Sequence, residues 1–154
     1  VCEIANHNSS EQIVISGHTK AVQELVNNSD KFSIKRAVLL NVSAPFHCSL
    51  MMPAQIKLEN ELKEITFNDP DLPIICNYTA VAENNPLKLK ENIINQVTNK
   101  VRWKETMEYA LDKKINKVLE CGSGKVLSGL FKRFSKDFNV YNIETIEDLK
   151  KFEI

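Results

Sequence analysis

The chain has 154 residues, of which 43% are hydrophobic and 26% charged, a composition that suits one globular domain, alone or with a small subdomain, and excludes a disordered chain. Twenty basic residues balance twenty acidic ones, and no basic stripe interleaved with aromatic residues is present, which argues against a nucleic-acid partner. No apolar stretch approaches the roughly 20 residues of a membrane helix, so we expect a soluble protein with no membrane partner.

The four cysteines, Cys2, Cys48, Cys76 and Cys121, are dispersed along the chain. They show neither a CxxC pair nor zinc-finger spacing with histidine, which favours reduced thiols in the cytoplasm over a disulfide framework or a metal site. The chain begins at Val1 rather than at methionine, so the lack of a targeting segment is not informative.

Strand-like and helix-like stretches alternate, which predicts an α/β or α+β fold. The first unit is a strand at 12–16 ending at Gly17, an amphipathic helix at about 21–26, and a strand at 34–42 (IKRAVLLNV). Behind it we predict a helix after Pro53, a buried strand at 72–78, helices around 89–97 and 103–111, a strand at 117–121, a helix at 127–134, a strand at 138–143, and a C-terminal helix with Ile146, Leu149 and Phe152.

Two short stretches could carry chemistry. His47 follows an apolar strand and Pro45, a position where α/β folds place reactive groups, and it could be a structural residue, a metal ligand or a general base. The loop Gly122-Ser123-Gly124-Lys125 resembles a phosphate loop, but Leu119 and Val126 stand where that motif needs glycine and serine or threonine. We therefore interpret this loop as a tight turn whose glycines serve the backbone.

Several stretches, in the same order and with similar spacing, resemble the malonyl-CoA:acyl carrier protein transacylases. They are NHNSSEQIVISGH at 6–18, SAPFHCSLM at 43–51 with the PAQIKLENELKEITFNDPDLPIICN that follows, INQVTNKVRW at 94–103, and ECGSGKVLSGL at 120–130. The resemblance implies that His47 is the base that takes the proton of a catalytic serine. It also implies that Gln96 orients this base through its backbone carbonyl, that Phe46 favours a malonyl group, and that Asn8 lies near the substrate pocket.

The serine elbow GHSxG, the GQGxQ-like stretch of the oxyanion hole and the malonate-binding arginine of that family have no match in the sequence. The chain thus resembles the family's C-terminal half: residues 1–42 as part of a small ferredoxin-like α+β subdomain, and residues 43–154 as part of a hydrolase-like α/β core. The implied partners are malonyl-CoA, the phosphopantetheine arm of acyl carrier protein, and the missing N-terminal half; no metal or organic cofactor is implied.

Two other interpretations stay open at this point. The chain could be a non-catalytic α/β module, either a decayed half-gene or a subunit that folds only with its other half. It could also come from an acyltransferase domain of a multidomain polyketide or fatty acid synthase.

Overall fold

The computed structural model describes residues 1–152 as a mixed α/β chain that divides into two compact units. The first unit is Val1–Trp103, and the second begins at Lys104. The predicted boundary at residue 42, between a small subdomain and a core, stays a prediction. None of the helices in the described part of the chain has the length and apolar character needed to cross a membrane.

The first unit starts with a β-hairpin. Strand β1 (Cys2–His7) pairs antiparallel with β2 (Ile13–Gly17), with a register shift between Ile4 and Asn6. The predicted strand at 12–16 is therefore confirmed, whereas β1 was not predicted. On its other edge β1 meets Val101, whose N–H donates to the Ala5 carbonyl at 2.8 Å and whose carbonyl accepts from the His7 N–H at 2.9 Å. The hairpin thus holds the chain segment that follows residue 100.

The first unit also contains three α-helices, and all three were predicted. They are α1 (Thr19–Asn27), α2 (Met52–Leu62) and α3 (Pro86–Gln96). A proline lies in the first turn of α2 and of α3, where its missing N–H costs no hydrogen bond. The side chain of Asn85 caps α3 by accepting from the Leu87 and Lys88 amides at 3.0 and 3.1 Å, so the start of this helix is well defined.

The strand predicted at 34–42 is wrong for this chain. No strand is assigned there, and its apolar side chains are exposed: Val38 by 59%, Leu39 by 53%, Leu40 by 59% and Val42 by 61%. A strand forms only when a neighbouring strand accepts and donates its backbone hydrogen bonds, and within residues 1–152 no strand pairs with this segment. We call residues 37–42 the AVLLNV segment.

The buried strand predicted at 72–78 is also wrong in most of its length. Only β3 (Ile74–Ile75) forms, paired antiparallel with the equally short β4 (Ala82–Glu83). Leu72 is 76% exposed and Ile74 is 48% exposed. A partner two residues long satisfies only two positions of the ladder, so the rest of the apolar run stays outside any sheet.

The second unit follows the prediction closely. After α4 (Trp103–Asp112), strand β5 (Lys117–Cys121), helix α5 (Val126–Phe134) and strand β6 (Asn139–Ile143) form a parallel β-α-β unit, and α6 (Ile146–Lys151) ends the described chain. Its buried apolar residues are Met107, Ala110, Leu130, Phe131 and Phe138. The rings of Phe131 and Phe138 meet edge to face at 4.8 Å.

The loop between β5 and α5 is the tight turn that the sequence predicted. Gly122 and Gly124 have φ values of 129° and 86°, in the left-handed region that residues with a Cβ rarely adopt. Two of the amides in the first turn of α5 are already used, because the Glu120 carboxylate accepts from the Leu127 and Ser128 N–H groups at 3.0 and 2.8 Å.

Candidate active site

His47 lies in a short loop that precedes a 3-10 turn (Ser49–Met51) and α2. Its φ of 58° places it in the left-handed region, where histidine is found more often than most side chains but is still uncommon. The neighbouring Cys48 is fully buried, and its thiol donates to the Pro45 carbonyl at 3.2 Å. The bond between Cys48 and Pro45 thus spans His47 and holds its unusual backbone conformation. Such conformations often occur at functional sites.

The imidazole of His47 contacts the end of α3. Its Nδ1 lies 2.9 Å from the backbone carbonyl oxygen of Gln96, the last residue of that helix. Carbonyls in the last turn of a helix have no intrahelical partner and are free to accept another hydrogen bond. Because a carbonyl can only accept, Nδ1 must carry the proton, and in the neutral ring Nε2 is then an acceptor.

The side chain of Gln96 does not compete for this contact. Its Nε2 lies 3.4 Å from His47 Nδ1 but donates to the Asn99 carbonyl at the shorter distance of 2.7 Å. Nδ1 cannot accept from it while donating to the backbone carbonyl. The arrangement therefore leaves Nε2 of His47 as the ring atom available for proton transfer, the state that a general base requires.

Cys48, the nearest thiol in sequence, donates to the Pro45 carbonyl and not to His47. Residues 1–152 contain no group of three His, Cys, Asp or Glu side chains placed to bind a metal ion. The contact of Nδ1 with the Gln96 carbonyl fits a base, and this role of His47 stays a prediction.

The other two predicted site residues make no hydrogen bond to this pair. Phe46 is 48% exposed beside His47, and its N–H donates to the Ala44 carbonyl at 3.0 Å. Asn8 lies in the turn between β1 and β2, where its N–H donates to the Gln12 carbonyl at 3.0 Å. Their predicted substrate roles stay predictions.

Glu3 holds the turn that follows His47 and was missed by the sequence analysis. Its carboxylate accepts from the Ser49 hydroxyl at 2.6 Å and from the Ser49 amide at 2.9 Å, which ties β1 to the first residue of the 3-10 turn. The hydroxyl of Ser49, and then its amide, hold the pKa of Glu3 below its ordinary value. No short sequence signal marks this pair, because the two residues are 46 positions apart.

We predict that Ser49→Ala raises the pKa of Glu3 toward the ordinary glutamate value, because the variant loses the largest of its stabilising hydrogen bonds. Since the folded-state pKa is depressed, the contact stabilises the fold above the unfolded-state pKa of about 4.3 and is lost as the pH falls through the lower folded value. A pH titration of the Glu3 carboxyl carbon by NMR checks this. An unchanged midpoint in Ser49→Ala would show that the hydroxyl does not hold the carboxylate.

The comparisons with known proteins bear on this site. No family model matches the chain. The malonyl CoA-acyl carrier protein transacylase of Staphylococcus aureus (strain COL) is 34% identical over 150 residues, which is 97% of this chain and 49% of the relative. The chain thus spans about half the length of the curated relatives it matches.

Solved structures of malonyltransferases also match nearly the whole chain. The acyl-carrier-protein-S-malonyltransferase of Bartonella henselae is 42% identical with a TM-score of 0.92, over 98% of this chain and 48% of that one. A malonyl-transacylase in complex with its type II PKS acyl-carrier protein is 33% identical with a TM-score of 0.93, over 98% and 49% of the two chains. Along almost its whole length the chain is therefore a homologue of the malonyl CoA-acyl carrier protein transacylases, as the counterpart of about half of their sequence.

Proposed function

We propose that this chain supplies the general base of an enzyme that transfers a malonyl group from coenzyme A to the thiol of acyl carrier protein in fatty acid biosynthesis. The observation that carries the proposal is the hydrogen bond of 2.9 Å between His47 Nδ1 and the Gln96 carbonyl. It sets the protonation of the ring in a chain whose relatives are malonyl CoA-acyl carrier protein transacylases.

In the proposed reaction, Nε2 of His47 takes the proton of a serine hydroxyl as the serine oxygen attacks the malonyl thioester. The coenzyme A thiolate leaves and receives that proton, and a malonyl-serine ester remains. The phosphopantetheine thiol of the carrier protein then gives its proton to Nε2 and attacks the ester, and the proton returns to the serine oxygen. The proposed reaction invokes no metal or organic cofactor; coenzyme A and the phosphopantetheine arm enter it as substrates.

The backbone carbonyl of Gln96 takes the place that a carboxylate holds in a Ser-His-Asp triad. It holds the ring in one tautomer and orientation, as the aspartate of a triad does. The contact also lies at the C-terminal end of α3, where the helix dipole favours positive charge, so it helps to stabilise the imidazolium that forms in each half of the reaction. Because thiolate is a good leaving group, the imidazolium needs less stabilisation here, and a neutral carbonyl can replace the carboxylate.

The nucleophile belongs to a part of the fold that this chain does not contain. The 154 residues include neither GHSxG nor a GQGxQ-like stretch. The exposed AVLLNV segment supports a missing structural partner, because four of its apolar side chains, Val38, Leu39, Leu40 and Val42, are more than half exposed. We assign residues 1–42 to a ferredoxin-like subdomain and residues 43–154 to the hydrolase-like core, with the family's N-terminal half as the partner of both.

The test uses the protein translated from the complete reading frame that contains this chain. We expect it to transfer labelled malonyl groups from malonyl-CoA to holo acyl carrier protein, and we expect the isolated chain to transfer none, since it lacks the nucleophile and the oxyanion donors. Failure of the folded full-length protein to transfer malonyl groups to any carrier protein offered would contradict the proposal.

A non-catalytic role is the second candidate, because the 154 residues contain no GHSxG serine. Circular dichroism and size-exclusion chromatography of the isolated chain distinguish the two. A compact monomer that unfolds cooperatively indicates an autonomous module, whereas aggregation indicates a chain whose apolar surface needs a partner. An acyltransferase domain of a multidomain synthase would share the proposed chemistry, and further domains in the same reading frame would identify it.

We predict that Phe46→Ala relaxes selectivity for malonyl over methylmalonyl groups, because a smaller side chain leaves room for an α-methyl branch. One methyl group is worth about 1–3 kcal/mol, so the ratio of the two kcat/KM values should shift by about 10- to 200-fold at most. Parallel assays with malonyl-CoA and methylmalonyl-CoA measure it. An unchanged ratio would show that Phe46, which is 48% exposed, does not contact the acyl group.

A further inference from the structure

We propose that Thr98 and Gln55 are positioning residues for His47. Their hydrogen bond fixes the Gln96 carbonyl so that the imidazole keeps its proton on Nδ1. This inference rests on the proposed role of His47 as the base and deepens it, because it identifies what holds the orienting carbonyl in place.

The turn after α3 is bonded to itself in a way that leaves the Gln96 carbonyl free. The Val97 N–H donates to the Ile94 carbonyl at 3.3 Å, and the Asn99 side-chain amide donates to the Asn95 carbonyl at 2.8 Å. The Gln96 side chain closes the turn by donating to the Asn99 carbonyl. The carbonyls of Ile94, Asn95 and Asn99 are therefore occupied, whereas the carbonyl of Gln96 accepts from His47.

Thr98 ties this turn to another element. Its hydroxyl donates to the side-chain oxygen of Gln55 on α2 and accepts from the Asn99 amide at 3.2 Å. Gln55 lies eight residues after His47, and Thr98 lies two residues after Gln96. The segment that carries the base and the turn that carries its acceptor are thus joined at two points, His47 to Gln96 and Gln55 to Thr98.

Two points of attachment define an orientation that one does not. Helix α3 packs against α2, but the bond between His47 and Gln96 does not by itself set the angle between the carbonyl and the ring. The bond of Thr98 to Gln55 adds a second constraint on that angle, and both of its partners are at least partly buried, which limits competition from water. Small displacements far from the reacting atoms can change catalytic rates strongly.

The first test determines the tautomer of His47 by NMR of the full-length protein with 15N-labelled imidazole nitrogens. The His47→Gln variant lacks these signals and so identifies them. We expect Nδ1 to be protonated in the neutral ring of the unaltered protein. Thr98→Val should shift the His47 nitrogen signals toward the mixture of tautomers found in free histidine, and Gln55→Met should do the same. Thr98→Ser keeps the hydroxyl and should leave the signals unchanged.

The matched control is Thr66→Val, at an exposed position. It makes the same chemical change away from the site, so it should alter neither the tautomer of His47 nor the rate of malonyl transfer. The tautomer readout does not depend on catalysis, so it decides the positioning role even if the protein proves not to transfer malonyl groups. Retention of the Nδ1-protonated ring in folded Thr98→Val or in folded Gln55→Met would overturn the inference.

The second test is kinetic. Thr98→Val should lower kcat on the order of tenfold, the effect of one hydrogen bond on a positioned group, with little change in KM for malonyl-CoA. Thr98→Ser should restore most of the rate. Because the two side chains act through one contact, the double variant Thr98→Val/Gln55→Met should lose no more than either single variant. Additive losses would show that the two residues act independently and would contradict the proposal.

Discussion

Replacing His47 with alanine should lower malonyl transfer by the full-length protein by about 10²- to 10⁴-fold, the usual contribution of a general base. The variant keeps the serine and its oxyanion donors but leaves no group to accept the serine proton. Binding of malonyl-CoA should change little, so the loss should appear in kcat. Rates of labelled malonyl transfer at saturating malonyl-CoA measure it.

His18→Ala is the control, because His18 is exposed and lies at the start of α1. We expect this variant to keep nearly the full rate. His47→Gln is a second variant that keeps a polar side chain in the loop without a base. Near-normal turnover in both folded His47 variants would end the proposal that His47 is the base, whatever the fold shows about its contacts.

The β-α-β unit of β5, α5 and β6 could be predicted closely because its signals are local. Each strand has two adjacent apolar or aromatic residues near its centre, Val118-Leu119 and Val140-Tyr141. Gly122 and Gly124 mark the turn, and the helical spacing of α5 begins just after them. Both strands lie in the chain and pair with each other. Local pattern and tertiary structure therefore agree.

The AVLLNV segment shows where local pattern fails. It is apolar apart from Asn41 and contains two valines, a pattern that favours a strand. A strand nevertheless depends on a neighbour, and the described residues provide none. The opposite error was made at β1, a strand that the sequence did not predict because CEIANH is only weakly apolar. It forms because β2 and Val101 lie on its two edges, so tertiary pairing outweighs propensity.

In the candidate site, too, some features are visible in the local sequence and others depend on tertiary packing. The position of His47 after an apolar stretch is visible in the sequence, and the resemblance implied its pairing with Gln96, 49 residues away. Physical reasoning alone could not derive that pairing, because it depends on where α3 ends relative to the loop of His47. The contacts of Glu3 with Ser49 and of Thr98 with Gln55 depend on the same packing, and neither pair has a spacing that a motif would reveal.

A charged residue in the AVLLNV segment should harm the full-length protein but improve the behaviour of the isolated chain. Leu40→Lys should destabilise the full-length protein by about 3–5 kcal/mol, because the charge would be buried without a partner between strands of the complete sheet. In the isolated chain the same change should reduce aggregation, since Leu40 is 59% exposed there and a charge interrupts the apolar run. Denaturant unfolding and light scattering measure the two effects.

Leu87→Lys provides the matched control. Leu87 is 75% exposed in the first turn of α3, beside Lys88 and outside any contiguous apolar run, so we expect a change within about 0.5 kcal/mol in the full-length protein. A full-length protein that tolerates Leu40→Lys as well as Leu87→Lys would mean that the segment stays at the surface. The missing half would then not cover it, and the case for an autonomous, non-catalytic module would become the stronger one.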